Sequence, residues 1–218
     1  MKHDRSKKTR VCQYEASKNE KGIEIAKQLV LGKIEGQNQV LKKYGLKRHD
    51  FSAFEVVDNI ETGDVARFRA RLMAQEGRCS DRYFKQIFGL LPESLRPNRR
   101  RTFKAYDGVN NIFNLAYEVL SWKVQQALIR AKLEPYLGFL HSIAMGKPSL
   151  ICDFQELYRY LVDVFVIRFC RTLRKENFIM KSENLSTDRK GKREFLSESY
   201  SRSGQGLERL LAKQSEHT

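Results

Sequence analysis

The chain has 218 residues, of which 41% are hydrophobic and 31% charged, so it can bury a core and is not composed like a disordered chain. Its 41 Lys and Arg against 26 Asp and Glu leave a formal charge of +15, which attracts polyanions and points to nucleic acid or an anionic surface. No apolar run approaches the roughly 18 residues that span a bilayer, and MKHDRSKKTR has no apolar segment behind it, so it is not expected to be a secretory signal.

A cytoplasmic protein facing nucleic acid, with no membrane partner, is the resulting expectation; the plain alternative is charge that serves solubility alone. The scarcity of breakers, 4 Pro and 13 Gly, favours long helices over a many-stranded sandwich. Cys12, Cys79, Cys152 and Cys170 are dispersed without a C-x-x-C pair, which fits neither a zinc ribbon nor a disulfide framework.

The first ten residues and residues 214–218 read as flexible tails, with a helical domain over 11–213 between them. From Asn19 to Tyr44, Ile25, Leu29, Val30, Ile34, Val40 and Leu41 recur near helical period, and Gly45 stands where the helix would stop. A second helix is predicted from about Thr62 to Phe88, before Leu91-Pro92. Val65, Leu72, Cys79, Tyr83 and Ile87 share one narrow sector of it, with Glu76 at the centre. Arg67, Arg71, Arg78 and Arg82 lie opposite. A carboxylate on a buried face is expensive unless paired, protonated or bound to a metal, although it also reads as a packing compromise at a helix seam. Gly77 beside it suggests close approach by a backbone or a ligand.

The cluster RPNRRRTFK follows, where Arg99, Arg100 and Arg101 are expected to form a flexible basic segment that tracks a nucleic-acid backbone. A third helix is predicted over Val109–Ala131, then the connection LEPYLGFLHSIAMGKPS, then one mostly apolar helix from about Ser149 to Lys175. His141 ends GFLH and by itself means little. Asp153 and Glu156 stand three apart on one side of that last helix's first turn, where acids also complement the helix dipole. Beyond it, MKSENLSTDRKGKREF reads as a basic loop or small hairpin and Leu196–Lys213 as a short final helix. The fold class expected is an all-α multi-helix bundle.

Taken together, a glutamate on a buried face, a histidine after a turn and a carboxylate pair opening a buried helix make a ligand set suited to Mg²⁺ or Mn²⁺. The strings LMAQEGRCSDRYF, LEPYLGFLH and SLICDFQELYR, with RVCQYEASKNEKGIEIAKQLVLGKIEGQNQVL ahead of them, resemble motifs of the CRISPR-associated adaptation endonuclease, the integrase first in the Cas numbering. The resemblance runs from about Val11 to Asp163. It implies a metal-dependent DNA endonuclease and integrase of spacer acquisition, with Glu76, His141 and Glu156 as catalytic metal ligands. Asp153 would orient a ligand, and Arg69, in the Glu76 sector, would touch phosphate or pair with a core-edge acid. Implied partners are branched or double-stranded DNA and the small second CRISPR adaptation protein.

The family usually carries a β-rich domain ahead of the helical one, and this chain begins near that junction. A monomer or weak homodimer is therefore expected, and a non-catalytic DNA-binding or scaffolding module is the alternative function. Lys132 stands where many relatives have glycine before the LEP-like turn, a difference expected to act on a helix end.

Overall fold

A computed structural model describes residues 2–50, 65–103, 105, 107–141 and 145–178, and of residues 2–6, 65, 66 and 176 the backbone only. Met1–Lys175 forms one unit and Glu176–Thr218 another, and the six α-helices of the described residues belong to the first. They are α1 (Lys2–Ala16), α2 (Glu20–Lys43), α3 (Val65–Phe88), α4 (Gly108–Arg130), α5 (Ser149–Glu156) and α6 (Arg159–Cys170), with no strand among the described residues. The all-α expectation holds. The expected hairpin over 180–195, the helix Leu196–Lys213 and the tail 214–218 lie outside the described residues.

Helix α2 starts and stops where its residues require. The Asn19 side chain accepts from Lys21 N at 2.9 Å, capping the first turn. At the far end Gly45 takes a left-handed φ of 66°, and Leu46 N donates to Leu41 O at 2.8 Å, which closes the last carbonyls. Helix α4 ends the same way without a glycine. Lys132 adopts φ 64° while Leu133 N donates to Leu128 O at 3.0 Å. The position where glycine was noted in relatives is therefore one where a side chain is strained, at about 1–2 kcal/mol.

Two elements differ from the sequence reading. Helix α1 begins at Lys2, within the stretch expected to be a flexible tail. It contains neither Gly nor Pro, and it is tied down at its far end: Gln13 Nε2 donates to Glu134 O and Leu137 O at 3.0 and 2.8 Å, and Gln13 Oε1 accepts from Glu134 N at 2.8 Å.

The single helix expected over Ser149–Lys175 is instead α5 and α6, parted at Leu157–Tyr158. No Gly or Pro marks that break. It arises from packing on α2, where a Cβ added to Gly32 would meet Leu157 Cδ2 at 2.6 Å, and one added to Gly36 would meet Tyr160 Cδ1 at 2.7 Å.

Helix α2 is the centre of the bundle, packing on α3, α5 and α6, while α4 covers α5 and α6 from the other side. Ala26, Leu29, Val30 and Ile34 of α2 meet Phe68, Leu72 and Cys79 of α3, Val124 and Leu128 of α4, and Leu150 and Ile151 of α5 in one core. No helix of the described residues is long and apolar enough to cross a membrane.

Candidate active site

Asp153 is wholly buried on α5, and its carboxylate organises the connection between α4 and α5. Oδ2 accepts from Phe139 N at 2.5 Å and Leu140 N at 3.0 Å, and Oδ1 from His141 N at 2.9 Å. Glycine at 138 makes this cradle possible, since a Cβ there would stand 2.8 Å from Asp153 Oδ2 and 2.9 Å from the Ser149 carbonyl carbon. The His141 Nδ1 lies 2.7 Å from Asp153 Oδ1, an arrangement that fixes the ring and leaves Nε2 as its outward nitrogen.

One turn after Asp153, Glu156 is held by two cations. Its Oε1 lies 2.9 Å from the Arg159 guanidinium and its Oε2 lies 2.6 Å from Lys33 Nζ. Burial pushes the Glu156 carboxyl upward, but Lys33 and Arg159 outweigh it and hold it below the ordinary carboxylate range. Lys33 also binds Glu76 Oε1 on α3, and Ser80 Oγ donates to the same oxygen at 2.7 Å. Thus α2, α3 and α5 each bring one charged side chain to a common point. The three side chains are 8%, 19% and 6% exposed, so the charges are neutralised by each other more than by water.

Deeper in the bundle stands a second acidic centre. Asp163 on α6 accepts from Tyr83 OH at 2.7 Å and from Tyr117 OH. Burial pushes its carboxyl up to about 6 in spite of both hydrogen bonds. The Arg159 guanidinium lies 4.7 Å from the Tyr117 ring centre, so one side chain spans from Glu156 to the tyrosine that holds Asp163.

The residues singled out in the sequence divide clearly. Glu76 and Glu156 meet on Lys33, while His141 is tied to Asp153, one turn before Glu156 on α5. Arg69 does not join them, because its guanidinium donates to Ser17 O at 2.9 Å and stitches α3 to the α1–α2 turn. Nor are Arg99, Arg100 and Arg101 a loose segment. Arg100 donates to Asn110 Oδ1 at 3.1 Å and Asn114 Oδ1 at 2.6 Å, and it sits against the rings of Phe84, Phe113 and Tyr117. Asn110 also receives Arg101 N at 3.0 Å and donates to Arg99 O at 3.0 Å, pinning the backbone while the Arg99 and Arg101 side chains stay exposed.

No backbone of the described residues comes close to Gly77: a Cβ there would meet nothing within 4 Å.

Two members of the site escaped the sequence reading. Arg159 has a local signal, standing three residues after Glu156 at ion-pair spacing. Lys33 has another, since it falls seven residues after Ala26 and seven before Val40, on the same buried stripe. The argument that isolates Glu76 on α3 isolates Lys33 on α2.

The donors suit a hard divalent cation, because a buried and a half-buried carboxylate already share one positive charge and an imidazole stands nearby. As folded here the carboxylates are closed on Lys33, and no group of three His, Cys, Asp or Glu among the described residues stands ready to hold a metal.

The model for CRISPR associated protein Cas1 matches residues 1–200. The CRISPR-associated endonuclease Cas1 of Korarchaeum cryptofilum is 31% identical over 183 residues, which are 75% of this chain and 54% of that protein. A second such endonuclease, from Pyrobaculum aerophilum, is 31% identical over 176 residues, 78% of this chain and 57% of that protein. The chain therefore spans little more than half the length of these relatives.

Among solved structures, a casposase bound to integration product superposes with a TM-score of 0.69 at 24% identity, over 87% of this chain and 55% of that one. A Cas1 protein from Thermotoga maritima does so at 0.68 and 22%, over 85% and 60%. A Cas6-RT-Cas1–Cas2 complex does so at 0.67 and 21%, over 89% and 23%. At these identities the structures establish the fold.

Proposed function

The chain belongs to the Cas1 family, and from that premise we propose that it cuts and joins DNA phosphodiester bonds in CRISPR spacer acquisition, with Mg²⁺ or Mn²⁺ held by Glu76, His141 and Glu156. The observation that carries this reading is the meeting of a buried and a half-buried carboxylate, 80 residues apart in the chain, on one positive charge. Such an arrangement is costly for stability alone and suits a site that receives a cation.

The chemistry a bound divalent cation supplies is charge stabilisation at the scissile phosphate and a lowered pKa for the attacking water or 3′-hydroxyl. The chain's own residues prepare for it. Asp153 holds Nδ1 of His141, so the imidazole presents Nε2 in one orientation. Arg159 fixes one oxygen of Glu156, and Ser80 fixes one of Glu76.

DNA is the proposed substrate, supported by the family and the charge of +15. The small second adaptation protein is the proposed partner, in keeping with the Cas6-RT-Cas1–Cas2 complex that shares the fold.

A DNA-binding module without catalysis is favoured by one observation, the closure of both carboxylates on Lys33. Cleavage and strand transfer on branched DNA, with and without Mn²⁺, separate the two. Glu76→Ala, His141→Ala and Glu156→Ala are each expected to abolish Mn²⁺-dependent cleavage while salt-sensitive DNA binding persists. Undiminished cleavage in any one of them rejects that residue as a ligand, and an inactive wild type that still binds DNA favours the module.

A further inference from the structure

The least expected member of the site is a lysine, its side chain 8% exposed, between two carboxylates. A lysine in a bundle core is rare unless its charge is met, and here it is met twice. Lys33 also sits where α2 is pressed against the α5–α6 break: Gly32 and Gly36 flank it, with the Leu157 side chain on one and the Tyr160 ring on the other. The glycines bring the α2 backbone down toward the α5–α6 break, and the lysine stem reaches along that seam to Glu76 on α3.

The other cation, Arg159, is of a different kind. It is anchored at 4.7 Å from the Tyr117 ring and binds the opposite oxygen of Glu156. A planar guanidinium fixed on a ring keeps its place, whereas an ammonium on a flexible four-carbon stem can withdraw.

Charge balance makes the distinction matter. Glu76 and Glu156 contribute two negative charges, and Lys33 with Arg159 contributes two positive ones, so these four directly paired side chains balance. Adding a divalent cation while Lys33 remains would bring two further positive charges against Lys33 and Arg159, which is strongly unfavourable.

We propose that Lys33 is a resident placeholder cation, which holds Glu76 and Glu156 together in the metal-free chain and is displaced when a divalent cation binds. The proposal rests on the metal-binding reading above and adds to it a competitor built into α2. Lys33 is a positioning residue in this account, since it shapes the ligand pair and leaves before the pair is used. It also accounts for the closed arrangement: carboxylates without a metal need another positive charge, and the chain supplies one. The metal site is then weak in the free protein by design of its own sequence, and the weakness is removable by one substitution.

The test is Mn²⁺ binding to the full chain without DNA, followed by electron paramagnetic resonance of the free ion, for wild type, Lys33→Met and the exposed control Lys43→Met. Lys33→Met is expected to bind Mn²⁺ roughly tenfold or more tightly than wild type, because a competing unit charge is gone. It should also gain more in Tm from saturating Mn²⁺, having lost the cation that bridged its two carboxylates, and Lys43→Met should match wild type. A lysine that merely props the fold open predicts the opposite sign, with weaker binding in Lys33→Met, and that result or equal affinity overturns the proposal. If neither wild type nor Lys33→Met binds Mn²⁺, the metal reading itself fails and the placeholder with it.

Should Lys33→Met not fold, ¹⁵N-lysine spectra of the wild-type chain decide. A buried, ion-paired ammonium gives a protected signal, and saturating Mg²⁺ is expected to remove it. A signal that Mg²⁺ leaves unchanged overturns the proposal.

Discussion

Helices α2 and α3 each deliver a charged side chain to the same buried point, Lys33 from one and Glu76 from the other, and each sets a glycine directly beside it. The surroundings of the two glycines are opposite. Gly32, with Gly36 one turn on, faces the α5–α6 break at distances no Cβ could keep, while Gly77 faces open space beside Arg78 and Arg82.

The charges divide in the same way. On the outer face of α3, Arg67, Arg71, Arg78 and Arg82 are exposed, whereas the seam reached from α2 holds Lys33, Glu156 and Asp163 away from water, with Arg159 half-buried beside them. A charged or glycine residue in a helix thus acquires its meaning from which neighbour its face meets, and the energetic stakes follow desolvation more than residue type.

The sharpest test of the buried side is Asp163. Its carboxyl is pushed up to about 6 from an ordinary 3.8 by burial, so the folded chain keeps a proton that the unfolded chain loses. Below about pH 4 both states are protonated and the residue costs nothing; as pH rises toward about 6 its cost grows to roughly 3 kcal/mol and then levels. Asp163→Asn, which has no proton to lose, is expected to gain on wild type by up to that amount between pH 4 and 7, measured by urea unfolding at several pH values. A gap that does not change with pH would show that the tyrosine hydroxyls already compensate the charge in full.

Arginines give the next contrast. Arg100→Ala removes a guanidinium that binds Asn110 and Asn114 and rests against three aromatic rings, and it should cost about 2 kcal/mol. Arg71→Ala, on the exposed face, should change stability by less than about 0.5 kcal/mol. Equal effects in denaturant unfolding would erase the distinction between the two regions.

The glycines give the smallest effects and the clearest sign. Gly36→Ala forces a methyl against the Tyr160 ring and is expected to destabilise by about 1–2 kcal/mol. Gly77→Ala fills open space in a helix interior and is expected to stabilise by up to about 1 kcal/mol. Thermal unfolding reads both, and a stabilised Gly36→Ala would mean that the α2 seam is looser than its contacts indicate.

Local chemistry alone determined much of this protein. Asn19 and Gly45 bound α2 because a side-chain cap and a left-handed glycine act within a few residues, and the 3.6-residue period put Leu72, Cys79, Tyr83 and Ile87 of α3 on its buried face. Three short motifs in order were enough to place the chain in its family.

Tertiary structure decided the rest, because each remaining feature is a relation between segments far apart in the chain. The break at Leu157 has no breaker residue and exists because Gly32 and Gly36 leave room for Leu157 and Tyr160. Arg100 is a packed side chain only because Asn110, Asn114 and the rings of Phe84, Phe113 and Tyr117 surround it. Periodicity could say that Glu76 faces inward and, read as carefully along α2, that Lys33 does too. That the two face each other, with Glu156 as the third, depends on how α2, α3 and α5 pack, and no single helix records its neighbour's rotation.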